Sequence, residues 1–143
     1  MNKPRCRGAA IWVPECGLFY VGGYNEQGGE EATVDFLCFY AKRYNKKWRF
    51  ITPMLNPISR PLLAHVNKCI FALDIHSSPP QIQMFKLQYV SNGQWTYVKH
   101  NNPFDEAFEA HSMTVQNGLL LLSSTSRLFN CLSLDTCPFF LHF

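Results

Sequence analysis

Metal ligation, thiol chemistry and acid–base catalysis each need particular residue types at particular spacings. Zinc sites gather ligands a few residues apart. The histidines at 65, 76, 100, 111 and 142 and the cysteines at 6, 16, 38, 69, 131 and 137 form no C-x-x-C pair and no such spacing. Neither a metal nor a cofactor is expected. Cys38 and Cys69 lie inside apolar runs, where a thiol behaves as a small hydrophobe. No Asn-x-Ser/Thr acceptor occurs anywhere. Free thiols in a reducing, cytoplasmic setting are the expectation. Asp105 and Glu106 are adjacent, and neighbours on a strand point to opposite faces, so a solvated acidic turn is expected there. Ser, His and Asp are present without a nucleophile elbow, and no catalytic residue is expected. Gly22-Gly23 lacks G-x-G-x-x-G and a Walker lysine, so it is no phosphate loop.

Lys42 to Arg49 carries five positive charges with Tyr44 and Trp48 interleaved, the pattern of a nucleic-acid patch. The stretch 47 residues later, Val90-Ser91-Asn92-Gly93-Gln94, carries no charge. A solvated hairpin with lysines guarding an outer edge is therefore expected. A net charge of +3 is too small to argue for nucleic acid or an anionic membrane. No apolar run approaches the roughly 20 residues needed to span a bilayer.

What remains is a surface, and the elements beneath it must be found first. With 47% hydrophobic and 15% aromatic residues over 143 positions, the chain can bury a core. Gly17-Leu18-Phe19-Tyr20-Val21-Gly22-Gly23-Tyr24 is an apolar strand stopped by glycines that reach positive φ and let backbones pass closely. Trp48 and Trp95 lie 47 residues apart with matching flanks, Tyr44 to Ile51 over Ser91 to Val98. Phe36 to Tyr40 falls over Gln83 to Leu87. Leu18 to Gly23 matches Ile70 to Ile75 and Leu119 to Ser124. A valine and a short turn precede each, with His65 and His111 ahead of the last two valines. Trp12 lies outside this register.

The unit is about 50 residues with four short strands, the period and strand count of a β-propeller blade. Expected strands are 8–13, 17–22, 32–41 and 48–52, then 61–66, 69–74, 81–90 and 95–100, then 111–115, 118–123 and 128–134. Repetition of Trp48 and Trp95 at one strand position argues for indoles packed between neighbouring sheets.

Gly22-Gly23, an aromatic before the turn (Tyr40), Asn45 and Trp48, with Pro53-Met54 after them, resemble a kelch repeat. The second copy keeps Asn92 and Trp95 but has Asp74-Ile75 for the glycine pair. The third has Ser123-Ser124 and no Trp. The resemblance implies an all-β chain, a partial kelch-type β-propeller of four-stranded antiparallel blades. Its parts would be an N-terminal extension (1–7), repeat 1 (8–53), repeat 2 (54–102), a partial repeat 3 (103–135) and a non-repeat apolar tail (136–143). Propellers close with about four to eight blades, so the expectation is a fragment of a longer propeller, a truncated isoform, or a subunit whose self-association covers the open blade faces.

In the kelch family, loops after the second strand and blade-to-blade crossings gather on one face that binds a partner protein. Carried across, that face holds Tyr24, Asn25 and Glu26, Ser59 and Arg60, His76 and Ser77, and Arg127. Arg60 is the strongest of these, because a guanidinium reads carboxylates bidentately. The implied function is protein binding, as in the substrate-recognition part of cullin-based ubiquitin ligase adaptors, whose BTB domain has no counterpart in these residues. An actin-binding kelch module is the alternative, and a galactose-oxidase-like propeller enzyme a third, although no copper-ligating Tyr and His can be located.

Overall fold

A computed structural model describes residues 3–39, 47–77, 80–87, 93–98, 110–116, 119–124 and 130–132. They form three antiparallel sheets in chain order. The first holds β1 (Ala9–Val13), β2 (Gly17–Val21), β3 (Val34–Cys38) and β4 (Trp48–Ile51). The second holds β5 (Leu62–Val66), β6 (Cys69–Asp74), β7 (Gln81–Lys86) and β8 (Trp95–Tyr97). The third holds β9 (Ala110–Gln116), β10 (Leu119–Ser124) and β11 (Asn130–Leu132). Each strand pairs with the next in sequence, so every sheet is a meander. Among the described residues no helix is long and apolar enough to cross a membrane.

Hairpin chemistry sets the registers. Asn67 and Lys68 link β5 to β6 with φ of 46° and 61°, the two left-handed positions of a two-residue turn whose twist matches its strands. Pro14-Glu15 links β1 to β2, with Glu15 at φ 63° and the Cys16 N–H donating to Val13 O. That is a type II turn, proline first and a left-handed residue second.

The sheets stack on alternating faces of their strands. Val13, Phe19, Val21 and Val34 of the first sheet pack against Ile70, Ala72, Phe85 and Trp95 of the second. The second sheet's other face (Ala64, Val66, Phe71, Leu73, Ile82) packs against Met113 and Val115 of β9. The first strands β1, β5 and β9 run beside one another along the stack. A middle sheet covered on both sides must be apolar on both faces, which is why β6 is buried from Cys69 to Leu73.

The registers correct the sequence alignment in two places. Leu18 pairs with Leu37 and Leu37 with Trp48, as Ile70 pairs with Phe85 and Phe85 with Trp95. Asp35, not Phe36, is therefore the counterpart of Gln83. Ten residues separate Leu37 from Trp48 and nine separate Phe85 from Trp95; the extra one lies in the longer hairpin connection. In the third sheet Leu120 pairs with Val115 where Ile70 pairs with His65. Val115, and not His111, stands at the His65 position.

The two tryptophans also differ from expectation. Trp95 is 3% exposed and lies between the first two sheets. Its indole Nε1 donates to Thr52 O at 3.0 Å. Trp48 occupies the same strand position but is only half-buried, because no sheet covers its face of the first sheet among the described residues. Trp12 shares that face, is 47% exposed and meets Phe39 edge-on at 5.1 Å.

Candidate functional site

The best-defined cluster of loops joins the end of the first sheet to the start of the second. Its frame is backbone. Gly22 N donates to Thr33 O, Gly23 N to Ile58 O, Glu31 N to Gly23 O, Ile58 N to Glu31 O and Met54 N to Ala32 O. The β2–β3 loop and the crossing between sheets are thus knitted together. Glycine is required where they meet. Gly22 has φ 66°, and a Cβ there would lie 2.3 Å from Ile58 O. Gly23 has φ 103°, and its Cβ would lie 2.6 Å from Cys6 O.

The N-terminal arm closes the other side. Cys6 and Tyr24 exchange backbone hydrogen bonds at 3.1 and 2.8 Å. Arg5 then reaches into the sheet. Its Nη1 donates to Gly22 O (3.0 Å) and Thr33 O (2.7 Å), and its Nη2 to Asp35 Oδ2 at 2.5 Å. The guanidinium lies 4.9 Å from the Tyr20 ring centroid. Both side chains of the pair are buried, and Arg5 Nε is buried without a hydrogen-bond partner.

The second sheet repeats this device with uncharged groups. Gln83 is fully buried at the Asp35 position. Its Oε1 accepts from Leu55 N at 2.7 Å and its Nε2 donates to Asn56 O at 3.1 Å. In both sheets, then, one buried polar residue on the third strand ties down the segment leading into that sheet. Sequence reading passed over Arg5, Asp35 and Gln83. The available signal was a charge or an amide inside each apolar run, Val34-Asp35-Phe36 and Ile82-Gln83-Met84, since such a group needs a buried partner.

The sequence-derived positions fall out unevenly. Tyr24 is half-buried, bridged to Cys6 and Glu30, with the Arg7 guanidinium 5.8 Å from its ring centroid. Asn25 uses its amide within the loop. Its Oδ1 accepts from Gln27 N and Gly29 N, and its Nδ2 donates to Glu31 Oε1 at 3.0 Å. Glu26 is exposed. Ser59 is buried, at 4% exposed, whereas Arg60 beside it is exposed. His76 is exposed and Ser77 half-buried on the turn after β6, where Asp74 Oδ1 accepts from His76 N and Ser77 Oγ donates to Asp74 O. Arg127 lies outside the described residues. The structure therefore brings Tyr24, Asn25, Glu26, Ser59 and Arg60 into one region and leaves His76 and Ser77 on the corresponding turn of the next sheet.

The electrostatics of the region are those of a held loop. Hydrogen bonds from Thr33 and then Asn25 hold Glu31 below its ordinary carboxylate range, aided by Arg5 and Lys3. Elsewhere, burial followed by the nearby Cys38 and Glu15 pushes the Cys16 thiol up. A thiol so shifted is a poor nucleophile. Cys6, Cys16 and Cys38 are free thiols, and no group of three metal-ligating side chains occurs among the described residues.

A scan of known protein families finds no match to the chain, and none of the curated proteins is significantly similar to it.

Proposed function

We propose that the chain is a protein-binding module of kelch-type blades, with its recognition surface on the loop end formed by the β2–β3 loop and the crossing into the second sheet. The observation that carries this is the ladder of backbone hydrogen bonds through Gly23, Glu31 and Ile58. Loops ordered before binding lose little entropy on binding. Glu26 and Arg60 stand exposed on that frame, so the surface offers charge of both signs for a partner's polar groups.

The partner class follows from the kelch resemblance. It is a substrate of a cullin-based ubiquitin ligase, the partner class of that family. Affinity capture from cytosol with the wild-type chain and with Arg60→Glu tests this. A protein retained by the wild type and lost with Arg60→Glu, from a variant of unchanged circular dichroism, supports the assignment. Equal capture by both overturns the site. Co-sedimentation with filamentous actin would turn the assignment to a cytoskeletal module.

A further inference from the structure

Two thiols meet at the open end of the β2–β3 hairpin. Gly17 stands opposite Cys38 in the register of these strands, and Cys16 directly precedes it. The missing side chain at Gly17 lets the strands come this close. A Cβ there would lie 2.2 Å from Leu37 O and 3.2 Å from Cys38 Cα. One residue along from a cross-strand pair, the Cα atoms of Cys16 and Cys38 are roughly 6 Å apart, within the separation that a disulfide spans. The two side chains also share a face. Cys16 packs against the cluster between the first two sheets. On β3, Val34 and Phe36 pack in that cluster, while Asp35 between them meets Arg5 on the other side. Strand alternation therefore turns Cys38 to the same face as Cys16. Burial first, and then the nearby Cys38, push the Cys16 thiol up, so the two sulfurs lie within electrostatic reach. Both residues are half-buried and not sealed from a small reagent.

From this we infer that Cys16 and Cys38 are a redox pair that closes to a reversible disulfide across the β2–β3 hairpin. The oxidant is a low-molecular-weight disulfide such as oxidised glutathione. Cys16 is the raised thiol, and the thiolate is the nucleophile, so Cys38 makes the opening attack. It loses its proton to water and attacks one sulfur of the reagent. A bond from Cys38 to that sulfur forms, the reagent's S–S bond breaks, and one thiolate leaves. Cys16, deprotonated in turn, attacks the Cys38 sulfur. The Cys16–Cys38 bond forms, the mixed disulfide breaks, and the second thiolate leaves. Two protein thiols have given up two electrons and two protons, and one reagent disulfide has become two thiols. Cys16 is held beside the mixed disulfide, and an intramolecular step offsets its small thiolate fraction. The bond closes a ring through β2, β3 and the loop that carries Tyr24, Asn25 and Glu26, stapling the hairpin at the end opposite that loop. It is independent of the partner proposed above.

Incubating the full chain with oxidised glutathione, then digesting it with trypsin without reduction, tests the pair by mass spectrometry. Trypsin releases residues 8–42, which hold Cys16 and Cys38 and no other cysteine. The expected peptide is lighter by two hydrogens and regains them with dithiothreitol. With Cys16→Ser, the same peptide should carry one glutathione on Cys38, persisting at least about tenfold longer than the adduct in the wild type, because the intramolecular step is lost. With Cys38→Ser it should stay largely unmodified. Carrying out the oxidation in urea, where the hairpin is open, should lower the yield of the internal bond several-fold. A wild-type peptide that carries two glutathiones, or that stays reduced while the exposed Cys6 is modified, would overturn the proposal. So would Cys38 joined to a different cysteine, or an equal yield of the internal bond in urea.

Discussion

Arg5 and Asp35 face each other in a space from which water is excluded. Removing one partner strands the other's charge, so Arg5→Ala should destabilise the fold by about 3–5 kcal/mol in urea melts. Replacing both, Arg5→Met with Asp35→Leu, should recover most of that loss, because a buried ion pair is about as stable as an apolar pair of similar volume. Lys68 stands at φ 61°, a conformation that a side chain disfavours and glycine does not. Lys68→Gly should therefore stabilise by about 1 kcal/mol. Two shifted groups among the described residues contribute to the response to acid. Burial lowers His65 from an ordinary value of 6.5, so the unfolded chain takes up this proton at higher pH than the folded one does. Its contribution is intact above 6.5 and is lost as pH falls through the folded value. Glu31 is also lowered, from 4.5, chiefly by its hydrogen bonds. Its contribution is present above 4.5 and is lost below it. Urea midpoints measured against pH should thus fall in two stages, with His65→Phe abolishing the first.

At the scale of elements, the sheets follow from period-two burial, tight turns and paired glycines, and these were legible. β6 falls where its apolar run places it, and Gly22 and Gly23 do stop β2 and admit a crossing backbone. Gly22→Ala should cost about 1–3 kcal/mol, since both its φ and the Ile58 carbonyl forbid a Cβ. Registers were less legible. A one-residue difference in a hairpin connection slides a whole strand in an alignment without altering its composition, which is how Asp35 was missed as the counterpart of Gln83. Residues 1–7 read from sequence only as an N-terminal extension; what holds Arg5 is a carboxylate 30 residues away, and no local pattern records that. Of the loop-end residues, the sequence could place the turns but not distinguish exposed Arg60 from buried Ser59, which depends on how the crossing lies against the first sheet.

At the scale of the molecule, the chain is a stack in which each sheet covers the next and a buried tryptophan reaches across one junction. Equivalent residues need not be energetically equivalent in such a stack. Trp95→Ala should cost about 3–5 kcal/mol, as deletion of a buried indole does, and Trp48→Ala, at a half-buried position, distinctly less. The most direct measurement is water exchange of the indole N–H groups by NMR in a dilute sample, with resonances assigned from Trp48→Phe and Trp95→Phe. The Trp95 proton, bonded to Thr52 O between two sheets, should be strongly protected while that of Trp48 exchanges rapidly. Equal and rapid exchange at both would contradict the stacking of the first sheet on the second.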